Sequence, residues 1–226
     1  MKKKQVKRQG SKTGWLKLML ELLVVFIGVS AGFLFDSFRE DRSDRALETQ
    51  YLESLYNNVQ ADSAEIRLMI QSDQDNMDIS RQAVSHMQEG TFTLDSATAI
   101  FGVMATFNFL NLEDASYLSI VNSGNLGLIR DFTLREKIVY YYRNYDDMRF
   151  VEQVYYDYVT NYILPYVTTN LDFLKGEFVN EFRVDDIEFR NMASGYYVLS
   201  SQKMEQVLLL DSLNNDLRIA LETRIR

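Results

Sequence analysis

The longest uncharged apolar run in the chain is Leu22–Phe35, LLVVFIGVSAGFLF. As a helix its 14 residues reach roughly 21 Å, short of the ~30 Å hydrocarbon core of a bilayer. Extending it back to Leu18 makes it long enough, with Glu21 near one end. Trp15 suits the headgroup region and Lys17 can extend its ammonium toward the same side. The pattern predicts a single transmembrane helix over residues 15–36.

Past that span the pattern becomes periodic. From Asp44 to about His86 there is neither Gly nor Pro, and Leu47, Tyr51, Leu55, Val59, Ile66, Met69, Ile70, Met77, Val84 and Met87 recur at helical spacing. One long helix, or two nearly collinear ones, is expected to continue out of the span. Asp62, Asp73 and Ser80 interrupt the stripe, which argues against a clean coiled coil and for packing against helices of the same chain.

The first break falls at Gly90, after which Ser96 is expected to cap a short helix, Ala97–Phe107. A helix over residues 113–123 ends at Gly124, and the turn after it returns Leu126, Leu128 and Ile129 to the core. Thr133-Leu-Arg-Glu136 reads as a capping box, opening a helix that runs to about Leu164 and breaks at Pro165. A last helix from about Asp186 to Arg224 closes the domain, with Ile187, Met192, Tyr196, Leu199, Met204, Val207, Leu210, Leu213, Leu217 and Leu221 on its inner side. The fold class is therefore all-α: one N-terminal transmembrane helix, then a helical bundle with long helices.

Charge orients this plan. Lys2, Lys3, Lys4, Lys7, Arg8, Lys12 and Lys17 precede the apolar span, whereas mixed charges follow it, in a chain of 226 residues with net charge −8. The positive-inside rule makes residues 1–14 a cytoplasmic tail and residues 37–226 an extracytoplasmic domain. That domain is strongly acidic and would repel phosphate, so nucleic acid is excluded as a partner. The rival is a cleaved signal peptide, for which Val29-Ser30-Ala31 is the small-residue site. Against it, Gly32-Phe-Leu-Phe35 extends the apolar run past that site, and Glu21 lies inside the apolar region.

Glu21, Val25, Gly28, Gly32 and Asp36 fall on one stripe at 100° per residue, and Gly28–Gly32 is a GxxxG spacing. Such a face suits close helix–helix contact in a membrane, and an intramembrane acid is costly enough to suggest a role. The tyrosine-rich segment holds nine of the chain's 14 tyrosines. Core filling accounts for them most simply. Tyr141, Tyr145, Tyr155, Tyr158 and Tyr162 are the alternative candidates for an exposed surface facing a protein or glycan partner.

Catalytic, cofactor and metal chemistry find no support. There is no cysteine, and the only histidine, His86, has no second histidine or thiolate to work with. Asp73-Gln-Asp75-Asn-Met77-Asp78 starts like a calcium loop but puts Met77 at a ligand position and Asp78 where glycine must turn. The glycines around Gly124 follow a helix, unlike a phosphate-cradling loop. No catalytic, cofactor-binding or metal residue is expected, and the chain is read as a non-enzyme.

Glu21-Leu-Leu-Val-Val-Phe-Ile-Gly28 leading into Asp36-Ser-Phe38-Arg-Glu40, then Ser123-Gly-Asn-Leu126 with Leu128-Ile129 and Leu134-Arg135, together resemble an uncharacterised (domain of unknown function) family of Bacteroidetes single-pass membrane proteins. The matches span roughly the first 145 residues in the family's order. The chain departs at the exit of the span, where Asp36-Ser37-Phe38 stands for the family's Asn-Asn-Trp. The resemblance implies a helical protein of a Gram-negative inner membrane, with no established activity or catalytic residue.

Three functions remain in view. One is an inner-membrane-anchored interaction or scaffold protein, its partners the bilayer and a protein or a second copy in the membrane. Another is a subunit of an ion- or proton-coupled complex that uses Glu21. The third is an extracytoplasmic sensor, which needs a partner because so short a tail holds no output domain.

Overall fold

The computed structural model describes residues 12–179 and 182–226. Most of the expected cytoplasmic tail, including Lys2, Lys3, Lys4, Lys7 and Arg8, lies outside the described residues. The order of elements is α1 (Lys12–Glu89), α2 (Leu94–Met104), α3 (Ala115–Asn122), a 3₁₀ turn (Asn125–Leu128), α4 (Phe132–Tyr158), a π turn (Val159–Ile163), α5 (Leu164–Asn170), a hairpin of β1 (Leu171–Asp172) and β2 (Glu177–Phe178), and α6 (Ile187–Ile225). The all-α expectation holds apart from that hairpin, whose turn uses Gly176 at φ 69°.

By internal packing the chain divides into two compact units, Met1–Thr49 and Gln50–Arg226. Within the first, the described residues are all helical, and the apolar side chains from Trp15 to Phe38 are exposed on every side.

The second unit is a bundle of α4, α6 and the later part of α1. Pairings between Tyr155 and Tyr196, Tyr158 and Met192, and Tyr141 and Asn214 run α6 antiparallel to α4. Asn214 bonding Val59 O and Lys203 bonding Asp73 run it antiparallel to α1 as well. Each helix presents a seam at alternating spacings of four and three. On α1 the seam is Leu55, Val59, Asp62, Ile66, Met69, Asp73, Asn76, Ser80, Ala83. On α4 it is Leu134, Ile138, Tyr141, Tyr145, Met148, Glu152, Tyr155, which Val159 of the π turn continues, and on α6 it is Tyr196, Ser200, Lys203, Val207, Leu210, Asn214, Leu217, Leu221. This is the inward stripe of a helical bundle. Asp62 and Ser80, expected to interrupt the α1 stripe, are fully buried members of it. Two apolar clusters result: one around Leu55, Ile66, Tyr141 and Leu210, the other around Phe101, Val159, Phe189 and Tyr196.

Local expectations are corrected at four places. The α2 cap is Thr93, whose hydroxyl accepts from Ser96 N at 3.2 Å, and the helix stops at Met104. Asp131, not Thr133, caps α4, accepting from Leu134 N at 3.0 Å. A carboxylate one residue before the first helical position meets the free N–H groups better than a hydroxyl already inside the helix. Pro165 does not end the helical run, which continues to Asn170; the π turn before it, with Leu164 N–H bonding Val159 O, shifts the pairing and accommodates the missing donor. Ile187, expected on the inner side of α6, is exposed at the helix start. The caps at Gly124 (φ 73°) and Asp186 fall where the sequence puts them.

Candidate functional site

The candidate residues of the first unit stay uncovered. Glu21, Val25, Gly28 and Gly32 are all exposed, and a side chain added at either glycine would meet nothing within 4 Å. The stripe is geometrically present and bare among the described residues.

The tyrosine candidates split. Tyr141, Tyr145 and Tyr155 lie on the α4 seam and are 1%, 2% and 6% exposed, so no partner can reach them. They are withdrawn as surface residues because their rings fill the core while their hydroxyls find partners inside it. Tyr141 donates to Asp62 Oδ2 at 2.9 Å, and Tyr155 donates to Tyr196 Oη at 2.7 Å. Tyr158 is half-buried and Tyr162 is 64% exposed.

A buried polar framework, not anticipated from the sequence, occupies the middle of the bundle. It serves the ten-residue connection between α2 and α3. Glu152 Oε1 accepts from Leu110 N at 2.7 Å, Tyr145 Oη from Leu112 N at 3.0 Å, and Asp62 Oδ1 from Glu113 N at 2.8 Å. Lys203 Nζ donates to Asn108 O at 3.0 Å and to Asp73 Oδ1 at 3.2 Å. An irregular segment with Leu110 and Leu112 in the core cannot leave its backbone polar groups unpaired. The seam carboxylates and Lys203 satisfy them.

Burial raises the acids of this framework. Desolvation pushes Asp62 up to about 6, against the lowering effect of its bonds to Glu113 N and Tyr141. Asp73 and Glu152 are raised for the same reason, with Lys203 acting in the opposite sense. The framework ties the connection to all three long helices.

Tyr158 and Tyr162 border a different feature, a groove between the end of α4, the π turn and α5 on one side and the first half of α6 on the other. Two adjoining hollows of about 640 and 700 Å³ share Tyr158, Asn161 and Tyr162. One end is mostly apolar, with Val154, Val198 and Leu199 beside Asp157; the other is polar, with Thr169, Asn170, Asp186, Glu188 and Asn191. Tyr158 lies against the backbone of α6, donating to Met192 O at 3.0 Å. Gly195 makes that approach possible: a Cβ there would fall on the Tyr158 hydroxyl and 2.9 Å from Cζ. Tyr166 donates to Asp186 Oδ2 at 2.7 Å at the far end, and its own hydroxyl is raised by burial and by that carboxylate. Gly195 and the amides of the groove were not singled out in the sequence; the signal available was a glycine inside an otherwise unbroken helix.

Among the described residues no three His, Cys, Asp or Glu side chains come close enough to hold a metal ion. Comparison of the chain with family models, with curated proteins and with solved structures gives no match.

Proposed function

We propose that the chain is an inner-membrane-anchored helical interaction protein, with residues 1–14 cytoplasmic, 15–36 spanning the bilayer and the helical bundle on the periplasmic side. The observation that carries this is the apolar part of α1. It contains an 18-residue window with at most two charged residues and no buried side chain, long and apolar enough to cross a membrane. In water that exposed surface would be a severe cost, and lipid removes it. The cations before the span support the orientation, and the resemblance to the Bacteroidetes single-pass family supports the layout. The bundle supports binding rather than catalysis, because its buried carboxylates are committed to backbone N–H groups and to Lys203.

A reporter enzyme that works only in the periplasm tests the topology. Fused after Arg226 it should be active; fused after Lys12 it should be silent. The protein should also stay with the membrane pellet after alkaline extraction. A soluble product beginning near Gly32 would overturn the anchor.

A further inference from the structure

We propose that the groove between the π turn, α5 and α6 is a binding site for a neutral oligosaccharide of two or three units. No Lys, Arg or His borders either hollow, so phosphate, carboxylate and sulfate groups have no counter-charge there. The three acids of the groove do not converge on a cation site either. Asp186 accepts from Tyr166 Oη and from Glu188 N and caps α6, Glu188 stands in the first turn of α6 where the helix end favours it, and Asp157 at the other end accepts from Gln153 Nε2. A purely apolar helix would fit Val154, Val198 and Leu199 and then strand the amides beyond them.

What remains is a ligand with an apolar face and many neutral donors and acceptors, which describes a pyranose. Its axial C–H groups pack on the electron-rich face of an aromatic ring, and its hydroxyls pair with planar side-chain amides, which donate and accept in one plane. The groove holds both. Tyr158 and Tyr162 form a tilted pair with ring centroids 5.4 Å apart, and the Tyr162 ring is open to solvent. Asn161 and Asn191, exposed beside them, make no side-chain hydrogen bond among the described residues. Asn170 and Thr169 are instead tied to their own helix, through Tyr166 O and Pro165 O. Each hollow falls in the size range of small-ligand pockets, and the shared tyrosines make them one run rather than two. The π turn sets this up: its extra residue brings Asn161 and Tyr162 round to face α6, and such turns recur where helices carry function.

The test is saturation-transfer NMR on the full chain in nanodiscs free of glycolipid and of sugar-based detergent, so that no carbohydrate is already present. Cellotriose, maltotriose and chitotriose are the probes, with tetralysine as the cationic comparator. At least one trisaccharide should receive saturation above the empty-disc background, strongest on the protons of one ring face. Tyr162→Ala and Asn191→Ala, both exposed and outside the core, should each weaken its dissociation constant by about tenfold, while Tyr140→Ala, exposed elsewhere on α4, should not. Gly195→Ala should act as strongly by displacing Tyr158. Background-level transfer for all three sugars at millimolar concentration would overturn the proposal. So would equal affinity across the variants, or binding of tetralysine alone. None of these readouts depends on which way the protein crosses the membrane.

Discussion

Lys203 of α6 and Asp73 of α1 meet inside the bundle with Nζ 3.0 Å from Oδ2, their side chains 3% and 12% exposed. Glu152 lies close enough for its charge to be felt, and Lys203 sits 5.4 Å from the Tyr155 ring. A buried pair of this kind contributes little net stability, because desolving both charges offsets their attraction. Its stronger contribution is register: sliding α6 by one turn would carry the ammonium from Asp73 to the level of Met69 or Asn76 on the α1 seam, neither of which is a carboxylate.

Breaking the pair from one side is therefore expected to cost more than removing it. Lys203→Met or Asp73→Leu alone should destabilise by about 3–5 kcal/mol, because each leaves a buried partner uncompensated. The double variant should cost less than the sum of the two, and denaturant unfolding of all four proteins measures the difference. Strict additivity would show that the two groups act independently.

Asp62 gives the bundle a pH dependence whose sign follows from its raised value. The folded state holds the proton more tightly than the unfolded chain, where an aspartate titrates near 4. The stabilisation this brings is fully present below about pH 4 and is lost as pH rises through about 6. Asp62→Asn can still accept from Glu113 N and pair with Tyr141. It should flatten that part of the stability profile, by about 2 kcal/mol or less. Parallel profiles for the two proteins between pH 4 and 7 would assign the effect elsewhere.

The cap of α4 separates two readings of the same residues. Asp131→Ala should lower stability by about 1 kcal/mol, whereas Thr133→Ala should change it by no more than a few tenths. Thermal melting resolves the two, and a larger loss for Thr133→Ala would restore the capping box.

In the membrane-embedded reading the bare stripe of α1 is the natural place for a second helix. Gly28→Ile and Gly32→Ile should each reduce crosslinked oligomer, and Val29→Ile on another face should not. Glu21→Gln distinguishes an anchor from an ion-coupled subunit. An anchor keeps its function with the charge removed, while an ion-coupled subunit inserts normally and fails to complement a deletion. Full complementation is the outcome expected here.

The helices were legible because hydrophobic periodicity and glycine breaks are local signals; α1 past its apolar stretch, α3 and α6 fall within a few residues of expectation. The caps of α2 and α4 were misplaced because several Ser, Thr and Asp residues compete there and only backbone geometry chooses among them. The polar framework was hidden by reading Asp62, Asp73 and Ser80 as breaks in a stripe. Their spacing of four and three was visible, as was that of Glu152, Lys203 and Asn214. The amides they satisfy lie on a different segment, and no periodicity within one helix reveals that. The groove was hidden for a similar reason: it needs Gly195 opposite Tyr158, residues that only antiparallel packing brings together.

The connection between α2 and α3 also bears on how the bundle assembles. Its amides at Leu110, Leu112 and Glu113 find acceptors 42, 33 and 51 residues away, and Asn108 O finds its donor 95 residues on. Those partners sit on α1, α4 and α6, so no pair of helices formed early can complete the set. Contacts so distant along the chain slow folding, since each loop must close before any contact rewards it. They also tie the connection to three helices at once. The protons on Leu110 N and Leu112 N should exchange with solvent only when the whole bundle opens, at the rate of the slowest amides in the helices around them.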